Sequence, residues 1–177
     1  MASTKWSVDL AHSSIEFSVR HLMIAKVKGS FEKFDADVQL DTDDLPTATA
    51  TFTIEAASIN TRNAERDAHL RSADFFETDT FGSVSFVTTN FVKTGANTYD
   101  VTGNLTIRGV TRPETFALVF EGVAKDFSGN VKAGFSGTGK ISRTDYGLNW
   151  NAALETGGVL VGEEVNISFE IQLVKQA

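Results

Sequence analysis

The stretch Val165-Asn-Ile-Ser-Phe-Glu-Ile-Gln-Leu173 carries an apolar residue at every second position and a polar residue between each pair. Successive side chains of a β-strand point to opposite faces of the sheet, so this stretch predicts a strand with one apolar and one polar face. The same alternation returns in Ser14–Arg20 and Thr115–Phe120. A chain made mostly of such strands closes into a barrel or stacks into a sandwich.

Ten segments carry the strand pattern, and turn residues separate them. The candidate strands are Trp6–Leu10, Ser14–Arg20, Val27–Phe34, Asp37–Asp41, Ala48–Ala57, Val84–Phe91, Tyr99–Arg108, Glu114–Asp126, Val131–Ser142 and Glu164–Lys175. Short loops such as Gly95–Asn97 and Ser128–Asn130 favour hairpins, and hence an antiparallel meander. Glycines at 134, 137 and 139 predict a bend or bulge in one strand.

Two segments interrupt the alternation. Asn63–Ser72 is the best helix candidate, with Asn63 as its N-cap and Glu65 suited to the positive end of the helix dipole. His21–Lys26 lacks alternation and is interpreted as a short helical turn. Both segments are expected to lie over the ends of a barrel.

The composition limits the class of protein. A length of 177 residues favours one domain, assigned to residues 1–177. The net charge of -7 argues against nucleic-acid binding, and the absence of Cys excludes disulfides and Cys-ligated metals. No apolar run is long enough to span a bilayer, and no leader is visible. The expected location is therefore the cytoplasm, although a periplasmic protein trimmed of its leader would look the same.

Phe is the favoured aromatic residue, with 14 Phe against 2 Tyr and 2 Trp. Phe brings a large apolar area without a polar tip that needs a partner. An apolar inner face makes a barrel a container for an apolar molecule; the alternative is an ordinary packed core. The residues predicted to line the interior are Phe17, Val19, Phe52, Ile54, Phe86, Leu105, Ile107, Phe116, Leu118, Phe135, Ile141, Ile167 and Phe169.

No catalytic or metal-binding pattern stands out. The histidines, His12, His21 and His69, lie in three different segments without the spacing of a helical metal site, so no metal or other cofactor is expected. Gly134-Phe-Ser-Gly137 has the wrong spacing for a nucleophile elbow, and no phosphate-binding loop is present. No residue is assigned a catalytic role.

A basic cluster stands out in this acidic chain. Arg62, Arg66 and His69 have the spacing of one helix face, and Arg20, His21, Lys26 and Lys28 crowd the other irregular segment. If the segments meet at one rim, they form a site for an anionic or polar headgroup, for which His21, Arg62, Arg66 and His69 are the candidates. The alternative is a solvated helix face.

Several motifs resemble the YceI-like family, in family order along nearly the whole chain. They are Trp6–Ser14, Phe17–Met23, Val27–Phe31, His69–Phe76, Gly103–Thr111, Ser142–Gly147 and Val161–Ile167. One departure is Phe81-Gly82-Ser83, where the family often has Pro after the Phe. The resemblance implies an extended, lipocalin-like antiparallel barrel that holds long apolar molecules such as polyisoprenoids. It also implies dimers in several members, and it designates no catalytic residues.

The expected fold is thus an all-β, lipocalin-like antiparallel barrel of about eight strands with one or two short helices. The expected function is non-covalent binding of a long-chain lipid, a polyisoprenoid or isoprenoid quinone, with a homodimer as one form of the protein. Two alternatives stay open. One is an enzyme acting on a bound isoprenoid or quinone, with His21 or His69 as the titratable group. The other is a stress-response interaction module with a filled barrel.

Overall fold

One antiparallel sheet forms the wall of the molecule in a computed structural model that describes residues 3–22, 24–152 and 160–176. Its strands are β1 (Thr4–Val8), β2 (Ser14–His21), β3 (Ala25–Phe31), β4 (Phe34–Leu40), β5 (Thr49–Glu55), β6 (Ile59–Asn60), β7 (Ser83–Lys93), β8 (Thr98–Ile107), β9 (Val110–Lys125), β10 (Val131–Ser142) and β11 (Val161–Lys175). Helix α1 (Ala64–Arg71) lies between β6 and β7 in the chain. Short 3-10 turns cover Leu10–His12, Leu45–Thr47, Ala56–Ser58 and Arg143–Tyr146.

Strand β11 closes the barrel. The sheet runs in the order β1-β4-β5-β7-β8-β9-β10-β11, and β1 pairs back onto β11. One edge of β11 pairs with β10 along most of its length. The other edge pairs first with β2, over Val161–Glu170, and then with β1, over Leu173–Lys175. The result is a closed eight-stranded barrel, extended on one side by β2, β3 and β6, as the alternation predicted.

The predicted helix is confirmed. Asn63 is the N-cap of the helix, and its side chain accepts a hydrogen bond from the backbone N–H of Arg66 at 3.0 Å. The helical turn predicted over residues 21–26 is wrong: β2 continues through His21, β3 begins at Ala25, and the N–H of Ile24 donates to the carbonyl of His21. This is a tight hairpin turn. Met23, which is part of both the predicted turn and one motif, lies outside the described residues.

Strand β9 begins four residues earlier than predicted and includes Pro113, which pairs with Asn104 of β8. Proline cannot donate a backbone hydrogen bond, so it occurs on strand edges. The pairs between β9 and β10 begin only at Ala117, so Pro113 lies in a part of β9 that has β8 as its one neighbour in the ladder. The missing donor is therefore tolerated here.

The predicted irregularity in the glycine-rich strand is a β-bulge. Gly134 pairs with Gly122, whereas the next residue, Phe135, pairs with Phe120, so Glu121 is the extra residue in β9. A bulge increases the local twist and helps a sheet to curve. Gly122 has φ +116°, a conformation that favours glycine.

The two ends of the barrel differ. At one end, here called the helix end, lie the β2–β3 turn, the β8–β9 turn, α1 and the segment 143–150. The Arg108 guanidinium joins parts of this end, because it donates to the carbonyls of Ala73 and Gly147, each at 2.9 Å. The opposite end carries the β7–β8 and β9–β10 hairpins, and Leu40, Leu45 and Tyr99 are buried between the strands.

Candidate ligand-binding site

A cavity of about 580 Å³ lies inside the barrel. This volume falls in the range of small-molecule sites, roughly 300–1,000 Å³. All thirteen residues predicted for the inner face line it. The alternation therefore predicted the inward-facing side of each strand correctly, although whether these side chains contact a ligand stays a prediction.

Further lining residues escaped the sequence analysis. Among them are Val27, Phe31, Leu70, Phe75, Phe76 and Trp150. Val27 and Phe31 lie in β3, which was predicted as a strand, whereas the other four come from α1, the loop after it or the segment that precedes β11. The period-two pattern could not reveal these four because their segments are not strands.

Polar groups of the lining concentrate at the helix end. Those on the loop after β6 and on α1 are Thr61, Asn63, Glu65, Arg66 and His69; β2 adds Glu16, Arg20 and His21, and Arg143 lies before β11. Asn63 and Glu65 are exposed to solvent and also line the cavity, so the cavity reaches the surface beside α1. Thr88 is a polar lining residue elsewhere, and its hydroxyl bonds the backbone of Ala50. The cavity is thus an apolar chamber with a polar mouth.

Four phenylalanine rings lie flat against the wall because glycines face them. The pairs are Phe17 with Gly29, Phe86 with Gly103, Phe116 with Gly139, and Phe169 with Gly137. A Cβ added at any of these glycines would overlap the facing ring. The rings of Phe86, Phe116 and Phe169 also contact one another, with centroids 5.3 and 6.0 Å apart. The glycines therefore keep large side chains out of the lumen.

We expect Gly137→Ala to narrow the cavity. The new methyl group forces the Phe169 ring off the wall, and the free direction is inward. Overpacking typically destabilises by ~1–3 kcal/mol, and the open lumen should hold the loss at the lower limit, about 1 kcal/mol. Urea unfolding measures the loss of stability, and titration with a prenyl lipid measures the loss of ligand uptake. Gly82→Ala is the control, since an added Cβ there meets only the Thr78 carbonyl oxygen, at 3.9 Å, and Gly82 has no positive φ; equal chain uptake by both variants would contradict the prediction.

Helix α1 is fixed to β6 by a buried polar cluster. The carboxylate of Asp67 accepts hydrogen bonds from the backbone and hydroxyl of Thr61. Arg66 donates through Nε to the Thr61 hydroxyl and through Nη2 to its carbonyl, each at 2.8 Å. Buried Asp67 and Thr61 thus have partners, and the mouth has a rigid wall on this side.

The four residues predicted to contact a headgroup do not all lie at the mouth of the cavity. Three of them, His21, Arg66 and His69, line the cavity, but Arg62 does not. The predicted shared helix face is wrong for Arg62, because α1 begins after the Asn63 cap and Arg62 stands outside it, with φ +63°. Its charge is exposed on the loop before the helix.

His69 joins α1 to the loop segments of the mouth. Its Nε2 lies 2.8 Å from Asp74 Oδ2, and its ring packs edge-on against Phe75 and Trp150 at centroid distances of 5.1 and 4.6 Å. His12 instead pairs with Asp9 near β1. In residues 3–22, 24–152 and 160–176, no three His, Asp or Glu side chains are grouped so that they could hold a metal ion.

Comparison with known proteins identifies the family. The family model for the YceI-like domain matches residues 6–173. A UPF0312 protein of Staphylococcus aureus strain MSSA476 is 48% identical over 163 residues, which cover 92% of this chain and 92% of that relative. The chain belongs to the YceI-like family.

Solved structures of other proteins share the fold. The crystal structure of Burkholderia cenocepacia BcnA matches with a TM-score of 0.80 at 27% identity, covering 93% of this chain and 98% of that one. A polyisoprenoid binding domain from Saccharophagus degradans, implicated in plant cell wall breakdown, matches with a TM-score of 0.73 at 18% identity. That match covers 98% and 99% of the two chains and supports the fold alone.

One YceI-like motif, Ser142–Gly147, acts through a buried cation. Arg143 is 4% exposed, and its guanidinium donates to the backbone carbonyls of Leu148, Trp150, Val161 and Gly162. Burial lowers the pKa of Arg143 below its ordinary value, while the charge of Glu163 opposes this shift. The carbonyls replace water around the guanidinium and join the segment after β10 to the start of β11.

The same motif supplies Tyr146, which is fully buried. Its hydroxyl donates to Glu114 Oε2 at 2.6 Å, and burial together with this carboxylate raises the Tyr146 pKa above its ordinary value. The hydroxyl is therefore a proton donor to a fixed partner. Arg108 of a second motif holds the β8–β9 turn, so the motifs that carry the family resemblance build the helix end.

None of the described helices is long and apolar enough to cross a bilayer.

Proposed function

We propose that the barrel binds one long-chain lipid, a polyisoprenoid or isoprenoid quinone, without forming a covalent bond. The observation that carries the proposal is the apolar cavity of about 580 Å³ with its polar groups gathered at one end. Burial of ligand hydrocarbon gains about 25 cal/mol per Å². The preformed wall, with its phenylalanines already held against glycines, limits the ordering cost of binding. The polyisoprenoid binding domain with the same fold supports this class of ligand.

Catalysis on a bound isoprenoid is the less favoured proposal. Three of the basic side chains near the mouth already have protein partners: His69 bonds Asp74, Arg66 bonds Thr61, and Arg143 bonds four carbonyls. One protein of similar fold is a polyisoprenoid binding domain. Transport, storage and sequestration of the lipid all use the same binding step.

A prenyl quinone should bind the purified protein and quench one of its two tryptophans. Trp150 lines the cavity, whereas Trp6 is buried in the wall, 2% exposed, and does not. A quinone in the lumen therefore quenches Trp150 on contact. At a free concentration 100 times the Kd, binding also raises the free energy of unfolding by about 2.7 kcal/mol.

Fluorescence titration and thermal melts measure these effects, and mass spectrometry of an organic extract identifies a lipid carried from the cell. Trp150→Phe should lose the quenching but keep the thermal shift, and Trp6→Phe should keep both. The absence of any shift across a panel of prenyl and acyl lipids would refute the proposal.

Arg66→Ala should distinguish headgroups. The Arg66 guanidinium lies at the mouth, and a charge-assisted hydrogen bond contributes roughly 1.5–3 kcal/mol. We expect a prenyl phosphate to lose about 1–2 kcal/mol of binding free energy, and a prenyl alcohol to lose little. Arg62→Ala is the matched control, because Arg62 is exposed and outside the lining. Equal losses for both ligands in Arg66→Ala would mean that Arg66 acts only through Thr61.

A further inference from the structure

An exposed apolar tip lies at the turn between β2 and β3. Ile24 is 83% exposed and Leu22 is 40% exposed. Leu22 also has φ +56°, a left-handed conformation that L-residues with a Cβ adopt at a cost. Surface positions usually carry polar residues in a tight turn, where Gly, Asn and Asp favour such geometry. Leu22 and Ile24 therefore form a small exposed apolar surface at this turn.

Basic side chains surround this tip on the two strands of the hairpin, and one of them, Arg20, also lines the mouth of the cavity. Arg20 is directly opposite Lys26, and Lys28 follows two residues later on the same face, opposite Ser18. All three are exposed, and none of the ion pairs among the described residues includes them. Like charges directly opposite each other destabilise a sheet. Acidic residues also lie near the tip: Glu16 is one pair further away on the hairpin, and exposed Glu163 and Glu164 lie in β11 between the pairs that Val161 and Val165 make with β2.

The tip adjoins the mouth of the cavity. His21, the last residue of β2, lines the cavity, and so does Leu160. The backbone N–H of Leu22 donates to the carbonyl of Leu160 at 2.8 Å, which fixes the tip to the strand that bounds the mouth. A surface that holds this tip therefore also faces the opening.

We propose that the β2–β3 tip docks on a lipid bilayer that carries anionic headgroups. Leu22 and Ile24 enter the interfacial region, and Arg20, Lys26 and Lys28 meet the phosphates. Charge complementarity selects this occupant: the chain has a net charge of -7, so an anionic membrane repels most of its surface and attracts this face. Docking here brings the mouth against the lipid phase.

This inference goes beyond chain binding and does not depend on it. Co-sedimentation with vesicles measures binding through the tip, whereas the quinone titration measures binding inside the barrel. We expect the protein to sediment with vesicles of phosphatidylcholine and phosphatidylglycerol and to stay in the supernatant with phosphatidylcholine alone. Because exposed charges are screened over about 8 Å at physiological ionic strength, added salt should release it.

Two variants test the tip. Ile24→Ser removes apolar area, and the double variant Lys26→Gln/Lys28→Gln removes two charges; we expect each to lower vesicle affinity by roughly fivefold or more. The controls lie at the opposite end of the barrel: Phe127→Ser removes a fully exposed ring from the β9–β10 hairpin, and Lys93→Gln/Lys125→Gln removes two exposed lysines there. All the substituted side chains are exposed, and circular dichroism melts check that each variant is folded.

The outcomes decide between occupants. Loss of binding in the tip variants and retention in the controls supports the proposal. It is overturned if the unmodified protein fails to bind the anionic vesicles, if the controls lose as much affinity as the tip variants, or if the tip variants bind normally. In the first of these cases the tip would be left to a protein partner.

Discussion

Ile167→Trp should leave the barrel folded and reduce the uptake of a prenyl chain by at least roughly tenfold, equivalent to about 1.4 kcal/mol. Ile167 lies midway along β11, opposite Gly139 in β10 and Phe17 in β2, and it lines the cavity without being fully buried. An indole there occupies volume that the ligand needs. A packed core would instead lose ~1–3 kcal/mol of stability on such overpacking.

Two further variants on the same strand make the measurement specific. Ser168→Trp places the same indole on the outer face, since Ser168 is exposed and adjacent to Ile167, and it should bind normally. Ile171→Trp lies where the side chain is only 5% exposed, so it should destabilise the fold. Chain uptake by quinone titration and stability by urea unfolding are measured for all three. Normal uptake by a folded Ile167→Trp protein would exclude the lumen as the binding site.

Arg143→Met should destabilise the protein by about 3–5 kcal/mol, the range for removing one partner of a buried charged network. Methionine fills part of the volume but leaves the carbonyls of Leu148, Trp150 and Gly162 without the Arg143 donor. The Val161 carbonyl keeps a hydrogen bond from the side-chain amide of Asn151. Each buried acceptor left unsatisfied costs about 1–3 kcal/mol. These carbonyls lie at the mouth of the cavity. Uptake of the prenyl chain should therefore also fall under conditions in which the protein is still folded.

The comparison for this variant is Arg112→Met. Arg112 is about half exposed and stands 3.9 Å from Asp145, a surface pair worth roughly 0–1 kcal/mol. Arg143→Lys should recover only part of the loss, because one ammonium cannot reach carbonyls that a planar guanidinium spans. Urea midpoints at constant m-value give the differences. If Arg143→Met were no less stable than Arg112→Met, water would have to satisfy the buried carbonyls.

The barrel wall was predictable because its cause is local. Alternation along β8, β9 and β11 sets which side chains face inward, and all thirteen predicted lining residues, such as Phe116 and Ile167, do so. The mouth was not predictable in the same way. Trp150 and Phe75 reach the cavity from irregular segments, and their 5.6 Å ring contact depends on tertiary packing. Arg143 gave no sign of burial, since a sequence does not show which carbonyls will surround a charge.

Two errors have specific physical reasons. The hairpin at residues 21–26 resembled a helical turn because apolar residues stand together there, but pairing of Arg20 with Lys26 continues the ladder almost to the tip. Arg62 was grouped with Arg66 by its spacing alone. A cap ends the helical spacing, and Asn63 places that boundary between them. Spacing arguments therefore hold within an element and fail across its ends.

Strand β11 also determines when the barrel can close during protein synthesis. Of the strands that the structure describes, it is the last to leave the ribosome, yet it must pair with β10, β2 and β1. Until then the nascent chain is an open sheet with free edges and an unprotected row of phenylalanines, a form prone to aggregation and to capture by chaperones. Contacts between the first and last strands make folding slow. An enclosed interior therefore exists only after translation has passed β11.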